Sequence, residues 1–249
     1  MTQPDPPDAE ARRAELAENL VAVRARLAAA CLAAGRDVSE ITMIAITKTR
    51  PASDVRLLAE LGVTDVGENK DQEAAAKAAA CAERGVTGLT WHFVGQLQTN
   101  KAASVVRYAD VVHSVDRERL VRALGTQARR AGRTLTCLLQ VSLDHDPPPD
   151  GGQARGGAKP AQLLALADAV ADEDGLTLGG VMAVAPLGEP PAPAFAKLAQ
   201  IATRLQAAHP AATAISAGMS ADLEEAIAAG ATHVRVGTAL LGVRSTLVG

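Results

Sequence analysis

Aromatic residues are scarce in this 249-residue sequence, and it has no block of positive charge. One Trp, one Tyr and two Phe make up 2% of the chain, and 25 Lys and Arg face 28 Asp and Glu, giving a formal net charge of −3. Nucleic-acid surfaces need clustered positive charge and commonly use stacking rings, and membrane patches of the polybasic kind need the same charge. The composition therefore argues against a nucleic-acid partner and against a membrane partner.

Cysteine is equally rare, and no segment has the character of a targeting signal. Cys31, Cys81 and Cys137 lie far apart without a CxxC motif or zinc-like spacing to a histidine, so we expect buried free thiols and no metal site. The first ten residues, MTQPDPPDAE, lack the basic and apolar regions of a signal peptide. No apolar run approaches the ~18 residues of a membrane span. We expect a soluble, cytoplasmic protein.

After residues 1–8, which we expect to be a flexible tail, the chain repeats one pattern up to residue 249. A long helix is predicted from Ala9 to Ala34, with an apolar stripe along one face and a stop at Gly35. Short apolar segments then alternate with longer helical ones. The predicted strands are 41–47, 63–66, 90–94, 111–115, 135–141, 177–184, 213–216 and 233–236. The predicted helices between them are 52–61, 69–83, 98–108, 117–131, 160–172, 192–208 and 220–229.

Eight strands that alternate with helices are typical of a (β/α)8 TIM barrel, here with an extra N-terminal helix. We therefore predict one barrel domain over residues 9–249. A doubly wound open sheet is the competing fold, but it usually has fewer strands and often a Gly-rich first turn. The segment after the first predicted strand is TKTRPAS, which contains no glycine.

The segment 144–160 stands out by its density of Pro and Gly, DHDPPPDGGQARGGAKP. This composition excludes helix and strand. Because it follows the fifth predicted strand, a barrel would place it on the face that carries active sites. Two interpretations remain open, a solvated insertion without a role and a mobile flap over a pocket.

Lys48 is the first candidate for chemistry. It follows the first predicted strand and shares a face with Ile44 and Ile46, so an inward-facing register places it at the barrel mouth. A partly desolvated lysine presents a free amine, which forms a Schiff base with an aldehyde. The alternative is a surface lysine paired with an acid.

The last two predicted β/α units, AISAGMSADLEEAIAAGATHVRVGTALLG, resemble a phosphate site. In this fold the loops after strands seven and eight commonly bind phosphate, because glycines let backbone N–H groups approach an anion and hydroxyls add donors. We predict Ser216 and Gly218 at the end of strand seven, with Ser220 capping the next helix. Gly237 and Thr238 end strand eight. Ordinary turn chemistry uses the same residue types and remains the alternative.

Arg235 is the third candidate. In the segment HVRVG it alternates with Val234 and Val236, so it faces the barrel interior if the valines face outward. A buried arginine is costly unless it meets a carboxylate or a ligand acceptor, and an outward-facing structural ion pair is the alternative. Lys48, the phosphate loops and Arg235 together suit a phosphorylated aldehyde, of which pyridoxal 5′-phosphate (PLP) is the obvious example.

The sequence resembles the PLP homeostasis proteins, relatives of the N-terminal barrel domain of alanine racemases. The resemblance extends from about residue 15 to Arg244 and is carried by separate segments in order: AITKTRPASDV, VGENKDQEAAAK, WHFVGQLQTNKA, VHSVDRERL, GGVMAVAP, ISAGMSADLEEAI and VRVGTALLGVR. It implies a barrel that binds PLP and supplies or buffers it.

The resemblance also implies roles for individual residues. Lys48 is similar to the lysine that holds PLP as a Schiff base, and Arg235 to the arginine that faces the pyridine nitrogen. The residues similar to phosphate ligands or their neighbours are Ser216, Gly218, Met219, Gly237 and Thr238. Asn69 resembles a residue beside the ring, and His92 and Met182 resemble residues of the pocket wall.

Two features favour binding with little or no catalysis. An arginine at the ring nitrogen keeps that nitrogen unprotonated and weakens PLP as an electron sink, although alanine racemases share such an arginine. The sequence ends at Gly249, so we expect no second domain to supply another acid or base, and Tyr108 is predicted to lie away from the barrel mouth. We predict that the protein is a monomer and that it binds apo-PLP enzymes transiently. The alternatives are a low-activity PLP-dependent amino-acid racemase and a Schiff-base aldolase.

Overall fold

A closed barrel of eight parallel strands forms the centre of the protein in this computed structural model, which describes residues 9–144 and 156–242. The strands are β1 (Thr42–Ile46), β2 (Asp65–Glu68), β3 (Thr90–Phe93), β4 (Val111–Val115), β5 (Leu135–Gln140), β6 (Leu176–Met182), β7 (Ala214–Met219) and β8 (His233–Val236). Each strand pairs with the next, and β8 pairs with β1, with Ile44 opposite Arg235. This closure confirms the predicted barrel and excludes the open sheet.

Helices cover the outside of the barrel. They are α1 (Ala9–Ala33), α2 (Ala52–Glu60), α3 (Asp71–Glu83), α4 (Ala102–Tyr108), α5 (Glu118–Ala131), α6 (Leu163–Ala171), α7 (Pro191–Ala208), α8 (Leu223–Ala228) and α9 (Thr238–Leu241). Short 3-10 turns precede β1, α4 and α6. No helix in the described ranges combines the length and the apolar character that a membrane crossing requires.

The strands alternate between the inside and the outside of the barrel as the sequence predicts. On β8, Val234 and Val236 pack into the hydrophobic cluster beneath α1, whereas Arg235 points inward and is buried. On β1, Ala45 joins the same outer cluster and Ile46 lines the interior cavity. This alternation places charged and apolar side chains on opposite sides of one strand.

The extra helix α1 packs against α8 and α9 and braces them with polar contacts. Its predicted apolar stripe is buried, at Leu16, Leu20, Val23, Leu27 and Cys31. Three of its polar side chains hold backbone carbonyls of the last two β/α units: Arg26 binds Ser220 at 2.6 Å, Asn19 binds Leu240 at 3.1 Å and Arg12 binds Leu241 at 3.1 Å. The helix therefore supports the two turns that follow β7 and β8.

Two predicted boundaries around β7 are wrong. The strand runs to Met219 rather than residue 216. Gly218 takes a left-handed conformation (φ +86°) and the pairing register shifts there, but Met219 beyond it still pairs with Arg235 of β8. The next helix begins at Leu223, and Ser220 does not cap it. Instead, Asp222 precedes the helix and its carboxylate accepts a hydrogen bond from the Met219 amide at 2.6 Å.

Other predictions concern cysteines, termini and loops. All three cysteines are free and buried, as expected.

The second strand lies at 65–68 rather than 63–66. Val63 does not belong to it, because the Val63 amide donates a hydrogen bond to the Leu58 carbonyl at the end of α2. The predicted tail 1–8 and most of the Pro/Gly segment, residues 145–155, lie outside the described residues, and the division into a tail and one domain stays a prediction.

Candidate cofactor site

A cavity of about 300 Å³ opens at the carboxyl ends of the strands. Its lining combines apolar walls with a few polar groups, the usual character of a small-molecule site. The described residues that line it are Ile46, Lys48, Asn69, Val94, Met182, Val184, Met219, Ser220, Ala221, Arg235, Gly237 and Thr238. The structure therefore brings together Lys48, Asn69, Met182, Met219, Arg235, Gly237 and Thr238 from the predicted site.

Lys48 follows β1 and projects its side chain into this cavity and an adjoining one of about 270 Å³. Its side chain is exposed, so the partial desolvation expected from its position is not observed. Within residues 9–144 and 156–242 no carboxylate forms an ion pair with its Nζ atom. The described residues therefore give no support to a lysine neutralised by an acid, and the exposed amine is accessible to a ligand.

Arg235 supplies a buried positive charge to the cavity lining from β8, the strand that pairs with β1. Only 5% of its surface is exposed. Its Nη1 donates to Ser216 Oγ at 2.6 Å and its Nη2 to the Ala183 carbonyl at 2.8 Å. Desolvation lowers the pKa of Arg235 to about 10, so the guanidinium remains charged at neutral pH. No carboxylate in the described part of the chain pairs with it, and the cavity therefore favours an electron-rich ligand.

The turns after β7 and β8 meet at one end of the cavity. Ser220 and Thr238 each contribute a hydroxyl. Strand β8 ends at Val236, so the prediction that Gly237 and Thr238 end this strand is wrong: Gly237 precedes α9, and α9 begins at Thr238. Backbone N–H groups at the start of a helix lack partners within it, so they suit an anion together with the hydroxyls. The arrangement has the donors of a phosphate site.

Gly218 shapes this end of the cavity without lining it. A Cβ atom there would lie 2.6 Å from Ala226 Cβ, and the left-handed backbone independently favours glycine. Asn69 is positioned similarly by Gly95, because a Cβ on Gly95 would lie 2.0 Å from the Asn69 carbonyl oxygen. These close approaches fix the backbone on two sides of the cavity.

Two predicted site residues lie away from the cavity. Ser216 is fully buried, and its Oγ is engaged with Arg235 and with His113 Nδ1 at 3.0 Å. His92 lies deeper in the barrel, where its ring contacts His113 and Asp65 at 2.9 Å each. Neither side chain lines the cavity, so Ser216 is not placed as an anion ligand and His92 is not a wall residue.

Several polar residues that line the cavity or pair inside the barrel were not predicted from the sequence. Ser220 was assigned to a helix cap although it lies in the turn of the anion site. His113 sits at the centre of the apolar strand segment VVHSV, where a polar residue signals a buried partner. Asp65, Glu68 and Lys77 carry no local signal, since their importance arises only from contacts between strands and helices.

Comparison with known proteins identifies the class. The family description "Alanine racemase, N-terminal domain" matches residues 14–245, nearly the whole chain. The curated "Pyridoxal phosphate homeostasis protein" of Mycobacterium tuberculosis strain H37Rv is 45% identical over 249 residues, covering 94% of each chain. That of Escherichia coli K12 is 37% identical over 238 residues, covering 92% of this chain and 97% of its own.

A solved structure agrees in fold and sequence. PipY of Synechococcus elongatus PCC7942, determined with PLP bound, matches with a TM-score of 0.77 and 34% identity, covering 91% of this chain and all of PipY. The protein is thus an alanine-racemase-type barrel. Within that class, the chain belongs to the pyridoxal phosphate homeostasis protein family, which confirms the resemblance seen in the sequence.

Proposed function

We propose that this protein binds PLP through a Schiff base on Lys48 and takes part in intracellular PLP homeostasis, with little or no catalysis. The observation that carries the proposal is that Lys48 and the uncompensated Arg235 line one cavity beside two anion-binding turns. Relatives over most of the chain are named for PLP homeostasis, and PipY was solved with PLP bound. PLP supplies an aldehyde that condenses reversibly with a primary amine.

The residues present fit a flat, phosphorylated aldehyde. Lys48 offers the amine, and Arg235 offers a donor to the ring nitrogen. Ser220, Gly237 and Thr238 would hold the phosphate, with Ser220 in the role that the sequence predicted for Ser216. Asn69, Met182 and Met219 would line the space that the ring takes when PLP is bound.

The chemistry available in the cavity limits catalysis. Among the described residues that line it, Lys48 and Arg235 are the only ionisable side chains. A racemase needs an acid or base on both faces of the substrate carbon. Tyr108 ends α4 and packs edge-on against Trp91 outside the cavity, so it does not provide the second group.

Reversible binding suits a carrier. Because a Schiff base exchanges with amines, the protein would shield the aldehyde and release PLP to apo-PLP enzymes as transient partners. We propose that it does so in the cytoplasm as a monomer. Light scattering tests the monomer, and reactivation of an apo-PLP enzyme by the loaded protein, in the presence of a scavenger of free PLP, tests direct delivery.

Borohydride reduction followed by peptide mapping tests the site. We expect the PLP-loaded protein to be yellow and the reduced label to lie on Lys48. Lys48→Ala should lose the colour and the label, whereas Lys70→Ala, which removes a neighbouring exposed lysine, should keep both. A label on Lys70 or Lys101, or no label, would contradict the proposal, and a colourless protein that traps a phosphorylated sugar would indicate an aldolase.

The match to the alanine racemase family makes a low-activity amino-acid racemase the second candidate. Incubation with a panel of L-amino acids distinguishes the two functions. We expect no more D-isomer than with free PLP. Robust D-isomer production that Lys48→Ala abolishes would establish the racemase instead.

A further inference from the structure

A row of hydrogen-bonded side chains crosses the barrel interior from β2 to β8. Asp65 Oδ1 lies 2.9 Å from His92 Nε2, and His92 Nδ1 lies 2.9 Å from His113 Nε2. His113 Nδ1 lies 3.0 Å from Ser216 Oγ, which accepts a bond from Arg235 Nη1 at 2.6 Å. We call these five residues the interior chain. Its far end lies at the first residue of β2, away from the cavity.

The chemistry of the two ends, with one proton on each imidazole, sets the direction of every bond in the interior chain. An arginine only donates, and an ionised aspartate only accepts. Arg235 therefore donates to Ser216, and Asp65 accepts from His92 Nε2, which leaves His92 Nδ1 as an acceptor. His113 then carries its proton on Nε2 and donates to His92 Nδ1, and its Nδ1 accepts from the Ser216 hydroxyl. With one proton on each imidazole, both rings are Nε2–H tautomers in this arrangement.

Burial supports this proton arrangement. His92, His113 and Ser216 are at most 2% exposed. Desolvation, together with the charges of neighbouring groups, lowers the pKa of His113 well below its usual value, so this ring is neutral. Burial raises the pKa of Asp65, but hydrogen bonds from His92 and Thr64 outweigh it and the net pKa is lowered, so Asp65 is ionised. An anion and a cation thus terminate the interior chain, and its hydrogen bonds polarise one another.

We propose that Asp65, His92, His113 and Ser216 are positioning residues that orient the Arg235 guanidinium toward the ring of the bound cofactor. Two of the five N–H groups of Arg235 are fixed, one by Ser216 and one by the Ala183 carbonyl. Because both Nη atoms are bonded, the guanidinium group cannot rotate freely, and its remaining N–H donors keep a fixed orientation. The proposal rests on the proposed function, because it concerns how Arg235 meets PLP.

The first test needs no cofactor. In the PLP-free protein, ring-nitrogen NMR should show His92 and His113 as Nε2–H tautomers, and the Nη signals of Arg235 should be resolved because its rotation is hindered. In His113→Leu the Arg235 Nη signals should average. His113→Gln should restore the resolved signals, since an amide carries a donor and an acceptor at a spacing similar to that of the two ring nitrogens. Nδ1–H tautomers in the wild type would overturn the proposal.

The second test uses PLP labelled with ¹⁵N at the ring nitrogen. We expect His113→Leu to shift this resonance and to raise the Kd for PLP about tenfold, the loss that misalignment of one hydrogen bond to a charged group produces. His113→Gln should recover much of both. The matched control is His233→Gln, because the His233 ring lies 6.4 Å from that of His92 but its Nδ1 bonds Thr232 instead of the interior chain.

The outcomes separate the two proposals. If the His113→Leu and His233→Gln variants share the ring-nitrogen resonance and affinity of the wild type, the interior chain does not position Arg235. If the wild type fails to bind PLP, the proposed function fails, while the NMR of the PLP-free protein still decides whether His113 orders Arg235. Loss of stability in His113→Leu with an unchanged Arg235 signal would assign the interior chain a structural role only.

Discussion

The Lys77 Nζ atom on α3 lies 2.7 Å from the carbonyl oxygen of Thr47, the residue immediately before Lys48. The same ammonium binds the Glu68 carboxylate and lies 3.1 Å from Glu73 Oε1. Glu73 in turn accepts a hydrogen bond from the Thr49 amide. The residues on both sides of Lys48 are therefore tied to one buried cluster of charges, which directs the lysine toward the cavity.

This cluster also holds a strained backbone. Thr49 has φ +64°, and among the described residues it is the only one other than glycine with a positive φ. Such a conformation is unfavourable for a β-branched residue and persists where neighbouring contacts enforce it. We infer that Lys77 and Glu73 stabilise the turn that presents Lys48.

Replacement of Lys77 by Met should destabilise the protein by about 3–5 kcal/mol, because it leaves the buried Glu68 carboxylate without its cation. It should also slow the reaction of Lys48 with PLP, since the turn relaxes. Urea unfolding and the rate of appearance of the yellow colour measure the two effects. Lys77→Met combined with Glu68→Gln should recover part of the stability but not the rate.

A control for this prediction is Arg122→Ala, which removes an exposed ion pair with Glu118 and should change stability by less than about 0.5 kcal/mol. If Lys77→Met were as mild as Arg122→Ala, the buried cluster would not support the turn.

Arg26→Gln should weaken PLP binding several-fold with little loss of stability. Arg26 donates to the Ser220 carbonyl at 2.6 Å and pairs with Glu224 at 2.5 Å on a partly exposed surface, and such pairs contribute about 0–1 kcal/mol. Without this contact the turn at Ser220, which we propose binds the phosphate, loses a support and becomes more mobile. Fluorescence titration with PLP and with inorganic phosphate measures the effect.

Arg36→Gln is the matched control for Arg26→Gln. Its guanidinium binds the carbonyls of Ile227 and Ala231 at the other end of α8. It should leave both affinities unchanged, and equal losses in the two variants would show that α8 as a whole, rather than the Ser220 turn, determines binding.

Gly95→Ala should displace Asn69 and lower PLP affinity, at a cost in stability of about 1–3 kcal/mol. The added Cβ would lie 2.0 Å from a backbone oxygen, which cannot move without shifting the residue. Gly125→Ala places its Cβ 2.2 Å from the Glu173 side chain, which can rotate away, so this variant should keep wild-type affinity. Calorimetric titration with PLP compares the two, and normal binding by Gly95→Ala would contradict the role of Asn69.

The free energy of unfolding should fall as the pH is lowered from about 6.5 to 4. Burial lowers the pKa of His233 to about 4, and the charges of His92 and Arg235 act in the same direction while that of Asp65 opposes them. The unfolded chain therefore binds a proton that the folded protein excludes across this interval, which costs up to about 3 kcal/mol. The lowered pKa of His113 acts in the same direction.

Urea midpoints at pH 7 and pH 4.5 measure this dependence. His233→Gln should show a smaller decrease between the two pH values than the wild type, because Gln does not titrate. Equal decreases would show that His233 is protonated in the folded protein.

Periodic patterns in the sequence determined the barrel and the place of Lys48. The alternation of Val234, Arg235 and Val236 predicts which side chain faces inward, and the position of Lys48 after β1 predicts its place at the mouth. These predictions succeed because strand alternation and strand order depend on residues that are neighbours along the chain.

Only the tertiary structure decided which serine faces the cavity and how the interior polar groups pair. The left-handed turn at Gly218 carries Ser220 to the mouth and leaves Ser216 inside, although four residues separate them. His113 meets Ser216 across 103 positions in the sequence, a contact that exists because the barrel closes. Hydrogen-bond partners of this kind are set by packing between distant strands, which no local pattern records.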